Sequence, residues 1–133
     1  MATGPGVTIL TSGPLFTKGS GPVREAGKNI VADLVARGER EVKLQLFPGH
    51  GLDTGNYRRS INGQIVRDLN GIVHDSNVVY GPWLEGVSSR NDRTRFKGYH
   101  MFRNARQTVQ RIAKGVANKR IAEAVRKLGG GLF

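Results

Sequence analysis

Two long stretches of apolar residues at three- and four-residue spacing limit what this 133-residue chain can fold into. In residues 22–46, Val23, Ala26, Ile30, Val31, Leu34, Val35, Val42 and Leu46 recur at helical spacing, with Arg24, Lys28, Asp33, Arg37, Arg40 and Glu41 largely between them. Pro22 suits the first position of such a helix, and Pro48-Gly49 stops it. Gly27 and Gly38 should weaken it by about 1 kcal/mol each relative to Ala. In residues 101–128, Phe102, Ala105, Val109, Ile112, Ala113, Val116, Ile121, Ala124, Val125 and Leu128 define one face of a second helix, with Gly115 as its weak point. Two amphipathic helices need an apolar object to cover.

The middle of the chain supplies one. Residues 61–68 read as a strand, Asn70-Gly71 is a type I′ hairpin signal, and residues 71–75 return as a second strand with β-branched Ile72 and Val73. Val78-Val79-Tyr80 is a third apolar run, ended by Pro82, and Trp83-Leu84-Glu85 fits one helical turn. Val7 to Leu10 reads as an edge strand or an arm. The expected fold is α+β: a small antiparallel β-sheet of three to five strands packed against two long amphipathic helices on one face. Residues 22–128 form the single domain, with a flexible N-terminal arm over 1–21 and a flexible tail over 129–133. Leu15-Phe16 is a small apolar anchor for the domain's own helix or a neighbour. Residues 48–56 read as a glycine-rich loop, and residues 86–98 as an exposed, mobile loop poor in bulky apolar side chains.

Lys and Arg number 21 against 10 Asp and Glu, a formal charge of +11. A surplus spread along the chain predicts a basic surface that attracts polyanions: nucleic acid, an acidic protein or anionic lipid. Without cysteine there are no disulfides or thiolate metal sites. No stretch approaches the roughly 20 apolar residues of a membrane span, and the first residues lack the pattern of a signal peptide, so the chain reads as soluble and not membrane-bound.

Reactive constellations are few. Asp53-Thr54-Gly55 resembles the active-site triplet of retroviral-type aspartic proteases, where two aspartates of a dimer share a proton. Asn56 and Tyr57 follow it where a small residue and an acid or serine belong, a long helix precedes it, and the last third is helical rather than a supporting strand. It reads instead as a turn with Asp53 or Thr54 capping backbone groups. His50, His74 and His100 have no partner at helical spacing and read as surface or hydrogen-bonding groups. The six serines outside the helices lack a recognisable base, and no P-loop, GxSxG or dinucleotide fingerprint is present. The expectation is no catalytic residue, no metal and no cofactor. Arg90, Arg93, Arg95 and Lys97 could hold phosphates, with Phe96 as a stacking group. A protein partner fits that loop better, because a phosphate channel more often interleaves several aromatics with its cations.

Three blocks add a more specific signal: Thr54-Gly55-Asn56-Tyr57-Arg58-Arg59-Ser60-Ile61, then Val79-Tyr80-Gly81-Pro82-Trp83-Leu84-Glu85-Gly86, then Gly98-Tyr99-His100-Met101-Phe102-Arg103-Asn104-Ala105. In this order and spacing, over residues 54–105, they resemble the neck or tail-completion family of long-tailed phages, the "gene product ten" head–tail components, in a version like that of actinobacterial phages. The family's pattern is T-G-x-L-R-x-S-I, Y-A-x-x-x-E-x-G, a basic loop, and P-F-x-x-x-A opening the last helix. Tyr57 stands here for the usual aliphatic residue, and His100-Met101 for the proline before Phe102.

The resemblance implies a structural subunit, not an enzyme, of the ring that joins the DNA-filled capsid to the tail. Its expected place is the virion's head–tail junction, after assembly in the host cytoplasm. Its implied partners are further copies of itself, most simply a hexamer, with adjacent head-closure or connector and tail-terminator or tail-tube proteins, and possible non-specific contact with DNA in the lumen. The expected subunit interface uses Arg58 and Arg59, delivered by a Thr54-Gly55 turn to the start of a strand. It also uses Tyr80, Trp83 and Leu84 as large amphipathic area, and Glu85 paired with an arginine of the neighbour's 90–97 loop, whose Arg90, Arg93, Arg95, Phe96 and Lys97 belong to the same interface. The alternative is a basic nucleic-acid-binding module, although no helix-turn-helix or finger signature accompanies the charge.

Overall fold

The computed structural model describes residues 5–10, 21–46, 54–67 and 69–129. Within them the chain runs β1 (Gly6–Leu10), α1 (Gly21–Leu44), α2 (Thr54–Ser60), β2 (Asn62–Arg67), β3 (Asn70–His74), α3 (Gly81–Glu85), α4 (Ser89–Arg93) and α5 (Met101–Gly129). The architecture is α+β, with a three-stranded antiparallel sheet in the order β1-β3-β2. Asp53, His50 and the Leu15-Phe16 pair lie outside the described residues.

Strand alternation sets which face is covered. Val7 and Ile9 point inward from β1, Val73 does so from β3, and all three are buried. Register aligns Val73 between Val7 and Gly63, and Gly71 between Ile9 and Ile65. Against this face lies α1, burying Ala26, Ile30, Val31, Leu34, Val35 and Val42. α5 packs along α1 and reaches the sheet chiefly at β1. Met101, Phe102, Ala105 and Val109 join the core, while Ile112, Ala113, Val116, Ala117 and Ile121 are only partly buried against it. Polar ties join the two helices at two levels. At one, Gln45 donates to the carbonyl of Met101 at 3.1 Å and accepts from Asn104 at 3.0 Å. Midway along α1, Arg120 bridges to Asp33 through Nε and Nη2 at 2.6 and 2.9 Å.

Three expectations are corrected. Residues 54–60 are a short helix, not a loop running into a strand, so Arg58 and Arg59 sit in its last turn. Cations there are favoured by the helix dipole, and the turn carries Tyr57 wholly out of solvent. The third strand is β1, not Val78-Val79-Tyr80. Ser76 and Asn77 adopt left-handed φ values of 61° and 58°, which take the chain out of the sheet before that run. Finally, Asn70-Gly71 is not the hairpin turn. Arg67 pairs with Asn70, so Asn70 and Gly71 already belong to β3, and the ladder has an irregularity between Ile65 and Arg67. Gly71 lies inside β3 because α1 rests on it: a Cβ there would be 2.3 Å from Val35 Cγ2.

Candidate functional site

The three sequence blocks converge on one junction. Tyr57 of α2 is completely buried and donates its hydroxyl to Asp75 Oδ2 at 2.8 Å. Asp75 itself is wholly buried at the end of β3, and its Oδ1 accepts the Asn77 N–H at 3.0 Å, an Asx turn. Burial, and then the negative charge of Asp75, push the Tyr57 phenol well above its ordinary pKa, so it remains a proton donor. The Tyr80 ring packs 5.8 Å from that of Tyr57. Gly81, the first residue of α3, passes so close that a Cβ would lie 1.8 Å from Asp75 Oδ2.

The last residue of α3 joins this cluster to α5. Glu85 is buried, and its carboxylate accepts the backbone N–H groups of Phe102 at 2.8 Å and Arg103 at 3.1 Å. These are among the orphan donors of the first turn of α5, so a side chain 17 residues upstream caps that helix. Burial raises the Glu85 pKa above the usual carboxylate range, against the pull of those two hydrogen bonds and of the His100 and Arg103 charges. The backbones run alongside: Tyr99 N–H donates to Leu84 O at 2.7 Å and His100 N–H to Glu85 O at 3.2 Å. Gly86 and Gly98 sit at φ 103° and 96°, and a Cβ on Gly98 would be 2.2 Å from the Gly86 Cα. Both the left-handed backbone and the contact call for glycine.

Residues 88–97 are folded rather than loose, contrary to expectation. Ser88 accepts the Arg90 N–H at 3.2 Å while Asn91 Oδ1 accepts the Ser88 N–H at 3.0 Å, a capping box that opens α4. The buried Asn91 side-chain amide also donates to Trp83 O and Phe96 O at 3.1 and 3.0 Å, and the Asn91 backbone carbonyl accepts from Lys97 Nζ at 2.8 Å. One amide side chain thus closes the loop that few apolar residues could hold. Phe96 is not free to stack on a ligand: its ring is 4.9 Å from both Trp83 and Tyr99, and Arg90 lies over Trp83 at 5.2 Å.

Of the expected interface residues, Glu85 is therefore internal and cannot pair with a neighbour's arginine. Trp83, Leu84 and Phe96 are half-buried, while Tyr80, Arg58, Arg59, Arg90, Arg93, Arg95 and Lys97 are exposed. Sequence reading missed Asp75 and Asn91, the two hubs of the junction. The Asp-Ser-Asn turn signal at 75–77 and the Ser-x-x-Asn spacing at 88–91 were the available signs. His74 is also satisfied, with Nε2 2.9 Å from Gln64 Oε1 and Nδ1 accepting the Ser76 N–H at 2.9 Å. Among the described residues every buried side-chain polar atom has a partner, no group of three His, Cys, Asp or Glu is arranged to hold a metal, and no helix is long and apolar enough to cross a membrane. The junction locks three segments together and leaves cations and aromatic edges outside. No protein-family model, curated protein or solved structure matches the chain.

Proposed function

We propose that this chain is a structural subunit of the head-to-tail junction of a long-tailed phage, working as one copy in a closed ring. The observation that carries the reading is the convergence of the three resembling blocks: Tyr57 of the first, Tyr80, Gly81 and Glu85 of the second, and Phe102 and Arg103 of the third meet in one hydrogen-bonded and packed unit. Those residues support a scaffold, with the Tyr57 hydroxyl, the Glu85 carboxylate and the backbone N–H groups of Phe102 and Arg103 engaged internally.

The surfaces left over suit contacts between copies. Among the described residues, β2 pairs with a strand on one side only. An open strand edge is a template for another chain. Ile65 and Val66 of that strand are 48% and 56% exposed. On the far face of the sheet a groove of about 610 Å³ runs between Leu10, Val66 and Ile72. Val79, Tyr80 and Val87 add exposed apolar area beside the junction. A head-to-tail contact in which one copy's open edge meets another patch of the next copy closes a ring when the rotation permits; a hexamer is the ring expected here.

The test is a phage in which this reading frame is disrupted, viewed by electron microscopy. The proposal predicts DNA-filled heads and separate tails, restored to joined particles by supplying the chain in trans. Joined, infectious particles without the protein would remove it.

A further inference from the structure

We infer that the outward side of α5 is a contact surface for the phosphate backbone of duplex nucleic acid. Arg103, Arg106, Arg111 and Lys114 are exposed on that side, over about 16 Å of helix axis. Among the described residues none of the four is in an ion pair. Glu85, the carboxylate nearest the start of the stripe, is buried and bonded to backbone N–H groups. Between Met101 and Ala122 the helix carries no acid. The exposed side chains interleaved with the cations are the carboxamides of Gln107, Gln110 and Asn118.

This composition selects the partner. Every side chain named on the stripe is a hydrogen-bond donor, and none is apolar. Phosphate contacts are made by Arg and Lys with Asn and Gln in support. A protein interface, in contrast, is anchored on aromatic and apolar residues. On α5 the exposed apolar residues are Val125 and Leu128, beyond the stripe near the end of the helix, and the others lie elsewhere, at Leu10, Leu44, Ile65, Val66, Val79, Tyr80 and Val87. Single strands are bound by stacking bases on aromatic rings, but no aromatic residue lies on α5 beyond Phe102, which is buried. The chemistry left is a duplex backbone bound without sequence preference. This surface replaces the 90–97 loop as the place for phosphate, since Phe96 there is already packed between two rings.

The experiment is fluorescence anisotropy of a labelled mixed-sequence DNA duplex with the full chain, titrated between low and physiological salt. With four phosphate contacts the log–log salt slope should be about −3.6. The variant Arg103→Gln/Arg106→Gln/Arg111→Gln/Lys114→Gln should lose most of that slope and at least about tenfold in affinity at low salt. Glutamine has a similar helix propensity, so circular dichroism should be unchanged. The Arg→Lys version of the three arginines should keep binding. A matched control, Arg58→Gln/Arg59→Gln/Arg93→Gln/Arg95→Gln, removes the same charge elsewhere and should bind as the parent does. Equal losses in the two neutralised variants, no binding by the parent chain at low salt, or tighter binding of poly-glutamate than of DNA would each overturn the inference. The inference does not rest on the ring reading: anisotropy reports on the purified chain in any state of assembly, whereas the particle experiment reports on tail joining.

Discussion

The two long helices share a sequence pattern and differ in almost everything else. α1 lies on the sheet, and its five cations stand among four acids. Arg37 bonds Glu41 at 2.7 Å and Lys43 bonds Glu39 at 3.3 Å, each one turn apart. α5 carries eight cations against Glu123 alone, so most of the chain's surplus of +11 sits on one element. It is buried mainly over its first turns, with Ala124 the one fully buried residue described beyond Val109, and Val125 and Leu128 close to its end are 60% and 52% exposed. Amphipathic periodicity thus identifies a helix without saying how deep it lies. Charge balance separates a helix that completes the core from one that offers a surface.

That contrast can be broken most sharply at the start of α5. Glu85→Ala leaves two N–H groups of its first turn without their buried acceptor and should cost about 3 kcal/mol in urea unfolding. A loss under about 0.5 kcal/mol would mean that α5 does not depend on its distant cap. Glu85→Gln isolates the charge. Because burial raises the folded-state pKa, Glu85 favours the folded state below the ordinary glutamate range and loses that contribution as pH rises through the raised value. Wild type should therefore gain stability relative to Glu85→Gln as pH is lowered through that window.

Next in size is the seat of α1. Gly71→Ala drives a methyl into Val35 of α1 and should destabilise by about 1–3 kcal/mol. Gly115→Ala does the opposite on α5, where a Cβ meets nothing within 4 Å. It should stabilise by about 0.5–1 kcal/mol in thermal or urea unfolding. If both glycine substitutions moved stability the same way, the distinction between a seated and an open helix would fail.

These glycines also mark how far the sequence could be read. Both long helices and the paired strands around Ile72-Val73 were legible, because periodicity and β-branching are local. Gly71 was visible as a glycine, but turn chemistry and helix–sheet approach call for the same residue, and only the position of α1 decides between them. α2 is not legible as a helix, because a glycine-rich loop reaching 56 and a Thr54-Gly55 turn into a strand are the local reading, and Tyr57 is held by Asp75, 18 residues away. Glu85 was placed at an interface for the same reason: its acceptor role depends on where α5 begins. Arg58, Arg59, Arg93 and Arg95 were legible as exposed cations, since nothing distant claims them. The stripe on α5 is present in the sequence as unmatched charge, but only the packing of the helix shows which of its cations lie outward.

The smallest expected effect is at the tie between the helices. The Arg120 hydrogen bond is the main influence lowering the Asp33 pKa, so this carboxylate contributes stability above the ordinary aspartate range and loses it as pH falls through the lowered value. Asp33→Asn should be slightly less stable than wild type at neutral pH, and the difference should vanish in acid and shrink with added salt. A difference that persists below the aspartate range would assign the effect to packing instead.

For the proposed ring role the most direct measurement is cryo-electron microscopy of the head-to-tail junction in purified phage particles assembled with this chain. The account predicts a ring of copies of this fold, six in number, with each β2 edge and Tyr80 patch facing the next copy. A well-resolved junction in which no copy of the fold can be placed would contradict it.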